Sequence, residues 1–278
     1  MIVDAHSHLQ KRPDYKSIER IINSKLVDQV WIMEAMPSSS PGSWASHQEM
    51  LKVKKDFSPF FKMFPYLDFY SSPDEIKRLK DMGFDGLKSI NPGKPYNHPD
   101  WFPFYEVAEK ERMPILFHTG TVANPSIPVD REFFAKYSPD ADYMRPIYMD
   151  VIAKLFPDIV LIIGHCGQKL WRDEAFDMLY NHKNVYADLS GSMNTRDIED
   201  FNMYVNKYTY YDSSILISEK LLFGVDSRHY GGEYANVYER VRKTREFWEN
   251  FLAYYGADKP WGKDKDKIMG ETARKLLL

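Results

Sequence analysis

Cysteine is almost missing from this sequence: its 278 residues include one, Cys166. That excludes an intramolecular disulfide and any zinc site built on several thiolates, so a metal would have to be held by nitrogen and oxygen. Long apolar runs are missing too. No stretch reaches the eighteen or so residues of a membrane-spanning helix, and the N-terminal segment lacks the basic region and extended apolar core of a signal peptide. The expected compartment is the cytoplasm. Excess charge of one sign is absent as well, with a net charge of −3, so no broad basic footprint points to nucleic acid or an anionic membrane. Local basic groups such as "KVKK" at 52–55 read as solvated helix faces. No glycine-rich phosphate cradle follows the late strands, since "YGGE" at 230–233 is too weak a signal.

What is present is ample material for a core. Hydrophobic residues make up 44% of the chain and aromatics 15%, enough for one large α/β barrel or two ordinary domains. Apolar, β-branched runs alternate with stretches of helical period. The strand candidates are 2–6, 27–35, 60–68, 84–90, 114–120, 159–167, 185–190 and 221–227. Several are almost continuously apolar, as parallel strands buried on both faces should be. Helix candidates lie at 16–25, 43–56, 73–82, 102–112, 145–156, 171–181, 195–208 and 234–255. In "SSPDEIKRLKDMG", Ser72 is the expected cap, Pro73 opens the helix and Gly83 ends it. Eight strand-then-helix units predict a single (β/α)8 barrel over 1–278, with a doubly wound open sheet as the alternative. The long Pro-rich stretch 121–143 follows the fifth strand. It would arch over the active face as a lid or run as a passive surface loop.

Barrel enzymes place their chemistry at the C-terminal ends of strands, where the βα loops converge. Ligand-type residues collect there. His6 and His8 end strand one, Lys88 lies near the end of strand four, His118 ends strand five, His165 ends strand six and Asp226 ends strand eight. Residues two apart on a strand share a side, so His6 and His8 can serve one ion together. Imidazole and carboxylate suit one divalent ion, most simply Zn²⁺, with Mn²⁺, Fe²⁺ or Co²⁺ compatible. A single buried histidine is more often a hydrogen-bonded core group than a ligand, but here several meet at equivalent strand ends. Asp4 is expected to support the turn and not the ion. His47, His98 and His182 fall in helix or loop text and are expected to be surface or capping groups.

The ordered set "VDAHSH", "GLKSI", "ILFHTG", "LIIGHCG", "VYADLSG" and "LLFGVDS" resembles the amidohydrolase superfamily. More narrowly it resembles the amidohydrolase-related branch that includes aminocarboxymuconate-semialdehyde decarboxylase and pyrone-dicarboxylate lactonase, and "IMGETARKLL" is similar to that branch's ending. The resemblance implies a (β/α)8 barrel with a metal at its mouth, held by His6, His8, His118 and Asp226. It implies that His165 hydrogen-bonds or activates the bound water, or binds a second metal as in binuclear relatives. Lys88 stands where some members carry a carboxylated bridging lysine, although this branch favours one ion, which leaves Lys88 as a further metal or substrate contact. "SRHYGG", which begins directly after Asp226, differs from the "YP" or "WP" of relatives, so the resemblance does not extend to the substrate.

The expected activity is hydrolysis of a C–O or C–N bond in a small, carboxylated lactone, ester or amide by metal-activated water, with Asp226 taking the proton. Arg228, His229 and Arg145 are candidates to grip a substrate carboxylate, Arg145 also reading as a helix-start residue in a surface ion pair. Non-oxidative decarboxylation at the same ion is the alternative, and a non-catalytic, metal- or ligand-binding barrel a second. The expected partner is a small molecule, with neither nucleic acid nor membrane; a homodimer is compatible.

Overall fold

A computed structural model describes residues 1–34, 44–122, 140–191, 203, 217–255 and 264–277. Parallel strands alternate with helices from the start: β1 (Val3–Leu9), α1 (Tyr15–Ser24), β2 (Gln29–Met33), α2 (His47–Asp56), β3 (Phe61–Phe64) and α3 (Asp74–Met82). The middle adds β4 (Leu87–Ser89), α4 (Phe102–Lys110), β5 (Ile115–Phe117), α5 (Met149–Leu155), β6 (Leu161–Ile163) and α6 (Arg172–Asn181). Then come β7 (Val185–Asp188), β8 (Leu221–Leu222), β9 (Ser227–Tyr230), α7 (Tyr234–Tyr255) and α8 (Thr272–Leu276).

Ladder pairing gives two arcs, β3-β2-β1-β9 and β4-β5-β6-β7-β8. Backbone hydrogen bonds join them into a ring. Lys88 donates to Pro65 O at 2.8 Å and accepts from Leu67 N at 2.7 Å, joining β3 to β4. Ala5 N donates to Phe223 O at 2.9 Å, joining β8 to β1. The result is a (β/α)8 barrel, and the open-sheet alternative is set aside.

Side-chain alternation divides the core. Val3, Ala5, Trp31, Met33, Phe64, Leu116, Ile162 and Leu222 fill the barrel interior, closed below by Ala273 of α8. Trp31 and Phe64 stack there at 5.2 Å between ring centroids. The other strand face, with Val30, Ile32, Ile115, Leu161 and Ile163, packs under the helices. Each such side chain, fully buried, contributes roughly 1.5–3 kcal/mol.

Local chemistry fixes the helices as expected in outline. Ser72 Oγ accepts from Asp74 N at 3.3 Å at the start of α3, and Gly83 (φ 100°) ends it in a left-handed conformation that other residues resist. Ser46 and Glu49 form a reciprocal capping box on α2, which therefore opens at His47, later than the periodicity predicts. The expected helix 195–208 lies outside the described residues apart from Met203, as does most of the 121–143 stretch. Among the described residues no helix is long and apolar enough to cross a membrane.

The eighth strand differs from expectation. It stops at Leu222, and a further strand, β9, pairs in parallel with the end of β1. Gly224 lies against the site: a Cβ there would sit 3.1 Å from Ser190 Cβ and 3.4 Å from His6 Cβ. Asp226 then takes φ 51°, so the chain turns at the barrel rim.

Candidate metal centre

Strict alternation along β1 would send Asp4, His6 and His8 to one side. A β-bulge prevents this: Asp4 to Ser7 on β1 faces only Val30 to Ile32 on β2. The extra residue lets Ala5 join the barrel interior while His6 and His8 face its mouth. Asp4 stays on the opposite face. Its carboxylate accepts from Ser7 Oγ at 2.6 Å, Val225 N at 2.9 Å, His6 N at 3.2 Å and Tyr230 OH at 3.3 Å. It thus pins the bulge to the turn carrying Asp226. Burial pushes the Asp4 carboxyl up to about 7 despite those four donors.

One ligand atom each from His6, His8 and Asp226 lie within 4.8 Å of one another. His8 Nδ1 is 2.7 Å from Met33 O. A carbonyl only accepts, so Nδ1 carries the hydrogen and a neutral His8 presents a bare Nε2. That nitrogen stands 3.4 Å from Asp226 Oδ1. Burial pushes the Asp226 carboxyl up; only protonated forms of His8, His165 and His6 would hold it below the usual range. Asp226 N also donates to His6 O at 2.6 Å.

His6 is fully buried. Its Nδ1 lies 2.9 Å from Asp188 Oδ2 and its Nε2 3.2 Å from Lys88 Nζ. Burial and the Lys88 charge push His6 down to about 3 against the pull of Asp188. Lys88 is itself pushed down to about 8 by burial, opposed by Asp188 and Asp226.

His118 stands just past β5 and is not within the compact trio. Its Nδ1 meets His165 Nε2 at 3.1 Å, and its buried Nε2 has no hydrogen-bond partner among the described residues. His165 follows β6 in a turn where His165 (φ 59°), Cys166 (φ 46°) and Gln168 (φ 50°) are all left-handed. Such backbone costs on the order of 1–3 kcal/mol per residue and is found where a side chain must be aimed. Burial lowers both histidines, His118 the further.

The donor set suits a divalent cation. Imidazole nitrogens and a carboxylate converge, one buried imidazole nitrogen has no hydrogen-bond partner among the described residues, and the Nε2 of neutral His8 opposes a carboxylate oxygen.

The remaining expected residues lie elsewhere. Arg145 bonds Glu174 of α6 through Nε at 3.1 Å and Asp142 through Nη1 at 3.3 Å, and so takes the surface ion pair. Arg228 is exposed on β9, and the His229 side chain is outside the described residues. His98 caps Asp100 N at 3.2 Å and His47 binds Glu34 at 2.8 Å. His182 departs from the surface expectation: it is buried against α5, where Asp150 takes its Nε2 at 2.9 Å. Sequence reasoning missed Asp188 and Ser190, although "VYADLS" puts both at the end of a strand. It also missed Trp44, whose ring lies 5.3 Å from that of His8.

A family model described as amidohydrolase matches residues 40–278. Among curated proteins no sequence matches significantly. Solved structures share the fold at low identity. An uncharacterised TIM-barrel protein from Bordetella bronchiseptica is 16% identical with TM-score 0.71, over 99% of this chain and 98% of that one. A probable 2-pyrone-4,6-dicarboxylic acid hydrolase from Acinetobacter baumannii, with citric acid bound, is 15% identical with TM-score 0.63 over the same shares. A 5-carboxyvanillate decarboxylase from Novosphingobium aromaticivorans, complexed with manganese and a nitrobenzoic acid, is 12% identical with TM-score 0.61, over 100% of this chain and 96% of that one.

Proposed function

The chain belongs to the amidohydrolase family, and from that premise we propose that it is a divalent-metal-dependent enzyme hydrolysing a C–O or C–N bond of a small carboxylated lactone, ester or amide. The observation that carries this reading is the opposition of His8 Nε2 and Asp226 Oδ1 at 3.4 Å, two acceptors aimed at one point. His6 and His8 through Nε2, Asp226 through Oδ1 and His118 through its unpartnered Nε2 would hold the ion. Bound there, it would supply Lewis acidity, polarising a carbonyl or carboxylate oxygen and acidifying water. Zn²⁺ and Mn²⁺ both suit this nitrogen and oxygen set.

The side chains divide the remaining work. Asp226 would accept the proton from the attacking water and return it to the leaving group. Lys88 holds a cationic amine inside the site, where it would pair with a substrate carboxylate. Arg228, exposed beside the rim, would meet a second anionic group.

Non-oxidative decarboxylation is the second reading. It is supported by the decarboxylases among the similar structures, two of them with manganese, and by Lys88, whose charge would oppose negative charge developing on the substrate. Metal-loaded protein offered lactones, carboxylated dienes and small amides in ¹⁸O-water separates the two. Label in the product supports hydrolysis; carbon dioxide released without label supports decarboxylation.

A further inference from the structure

The reading above uses the outward nitrogens of the site histidines and leaves open what fixes their hydrogens. We propose that Asp188, at the end of β7, sets the tautomers of His6, His165 and His118 through one continuous hydrogen-bond chain, and so presents the Nε2 lone pairs of His6 and His118 to the site. The hydrogen positions follow from the contacts alone; only their consequence for an ion rests on the proposed function.

Asp188 is fully buried. Oδ2 meets His6 Nδ1 at 2.9 Å; Oδ1 accepts from Ser190 Oγ at 2.5 Å, Ser190 N at 2.9 Å and His165 N at 3.2 Å. Three donors on one oxygen, two of them fixed backbone N–H groups, hold the group as a carboxylate. An ionised carboxylate only accepts, so His6 Nδ1 carries its hydrogen and the Ser190 hydroxyl spends its single hydrogen on Asp188.

The second arm follows from the first. Ser190 Oγ, its hydrogen committed, can only accept from His165 Nδ1 at 2.9 Å. The Ser190 carbonyl, 3.3 Å from the same nitrogen, is a second, weaker acceptor for the same hydrogen. A neutral His165 then has a bare Nε2, which accepts from His118 Nδ1 at 3.1 Å. His118, neutral in its turn, is left with a bare Nε2, the buried nitrogen that has no partner among the described residues. His8 stands apart, fixed by Met33 O and not by Asp188. Asp188 is thus a positioning residue that governs two proposed ligands through two arms, which touch where Ser190 Oγ, still an acceptor, lies 3.2 Å from His6 Nδ1.

The arms can be cut one at a time. In Asp188→Asn the amide oxygen must take the Oδ1 place, because the backbone N–H groups of His165 and Ser190 are fixed donors there. The amide NH₂ then faces His6 Nδ1 and drives the His6 hydrogen onto Nε2, where the Lys88 amine, 3.2 Å away, must become the acceptor or withdraw, while the His165–His118 arm is kept. Ser190→Ala cuts the other arm: only the backbone carbonyl of residue 190, at 3.3 Å, is left to hold the His165 hydrogen on Nδ1, so His165 and His118 shift toward tautomer mixtures while His6 keeps Nδ1–H.

Two-bond ¹H–¹⁵N correlation of the imidazoles in metal-free protein reads these states directly. The expected result is hydrogen on Nδ1 of all three rings in wild type, with the opposite single-arm changes in the two variants. Zn²⁺ titration against a competing chelator should show Asp188→Asn weakened roughly 10–100-fold. Hydrogen on Nε2 of His6 or His118 in wild type, or His6 unmoved in folded Asp188→Asn, would overturn the proposal. If Asp188→Asn does not fold, the wild-type spectrum and Ser190→Ala decide. Wild type with the expected tautomers but no Zn²⁺ binding would overturn the metal reading and the role in ligand presentation, and leave the tautomer chain standing.

Discussion

His8 Nε2 and Asp226 Oδ1 face each other at 3.4 Å, and the hydrogen of His8 points the other way, to Met33 O at 2.7 Å. Two lone pairs aimed at one point repel unless a cation or a proton lies between them. The fold nevertheless fixes both atoms, His8 by the β1 bulge and Asp226 by a left-handed turn that Asp4 ties to β1. Rigid backbone holds two acceptors where a cation would reconcile them.

The first prediction follows directly. Purified protein should contain close to one equivalent of a transition metal by mass spectrometry. His8→Ala and Asp226→Ala should each lose most of it while keeping wild-type circular dichroism. Full metal content in both variants would show that the ion sits elsewhere.

A second prediction concerns Asp4, whose carboxyl is raised from 3.8 to about 7 in the folded state. Between those values the native protein holds a proton that the unfolded chain has released, so stability falls as pH rises from about 4 to about 7 and levels off above. Asp4→Asn imitates the protonated form and lacks this dependence. Denaturant unfolding of the metal-free proteins should find the variant gaining a few kcal/mol on wild type across that window. A constant difference at every pH would mean that the carboxyl titrates normally.

Much of this was legible in the chain. Alternating apolar runs and capping signals gave the order of elements, and the strand-end rule pointed to His6, His8, Lys88, His118, His165 and Asp226. What was not legible depends on contacts between distant segments. Asp188 meets His6 across 182 positions, a proximity that only closure of the ring creates. The bulge that separates Asp4 from His6 and His8 is a register shift against β2, and period-two reading of β1 alone cannot show it. The early end of β8 likewise reflects Gly224 lying against Ser190 and His6. Arg145 read as a substrate clamp or, slightly better, as a surface ion pair, and Glu174 beside it makes it the latter.

Gly164 offers a third prediction, because it shows where the β5 and β6 ends must touch. A Cβ there would lie 2.7 Å from Phe117 O, a backbone atom that cannot swing aside, and 3.2 Å from Leu116. Gly164→Ala should cost about 1–3 kcal/mol on thermal or denaturant unfolding. It should also weaken metal binding, since the displaced segments carry His118 and His165. Unchanged stability together with unchanged metal affinity would show the contact to be slack.

Lys88 gives the sharpest test. Its Nζ lies 3.2 Å from His6 Nε2, the lone pair that a metal ligand at this position must use. Ammonium and ion therefore compete for one nitrogen, and the buried positive charge also repels a second cation nearby. Lys88→Met removes both effects, so the variant should bind Zn²⁺ or Mn²⁺ several-fold more tightly than wild type. If Lys88 also grips the substrate, the same variant should turn over more slowly with a raised KM. Loss of metal in Lys88→Met would reverse the assignment: the lysine would then be helping to hold an ion, and a second ion would have to be sought beside His6.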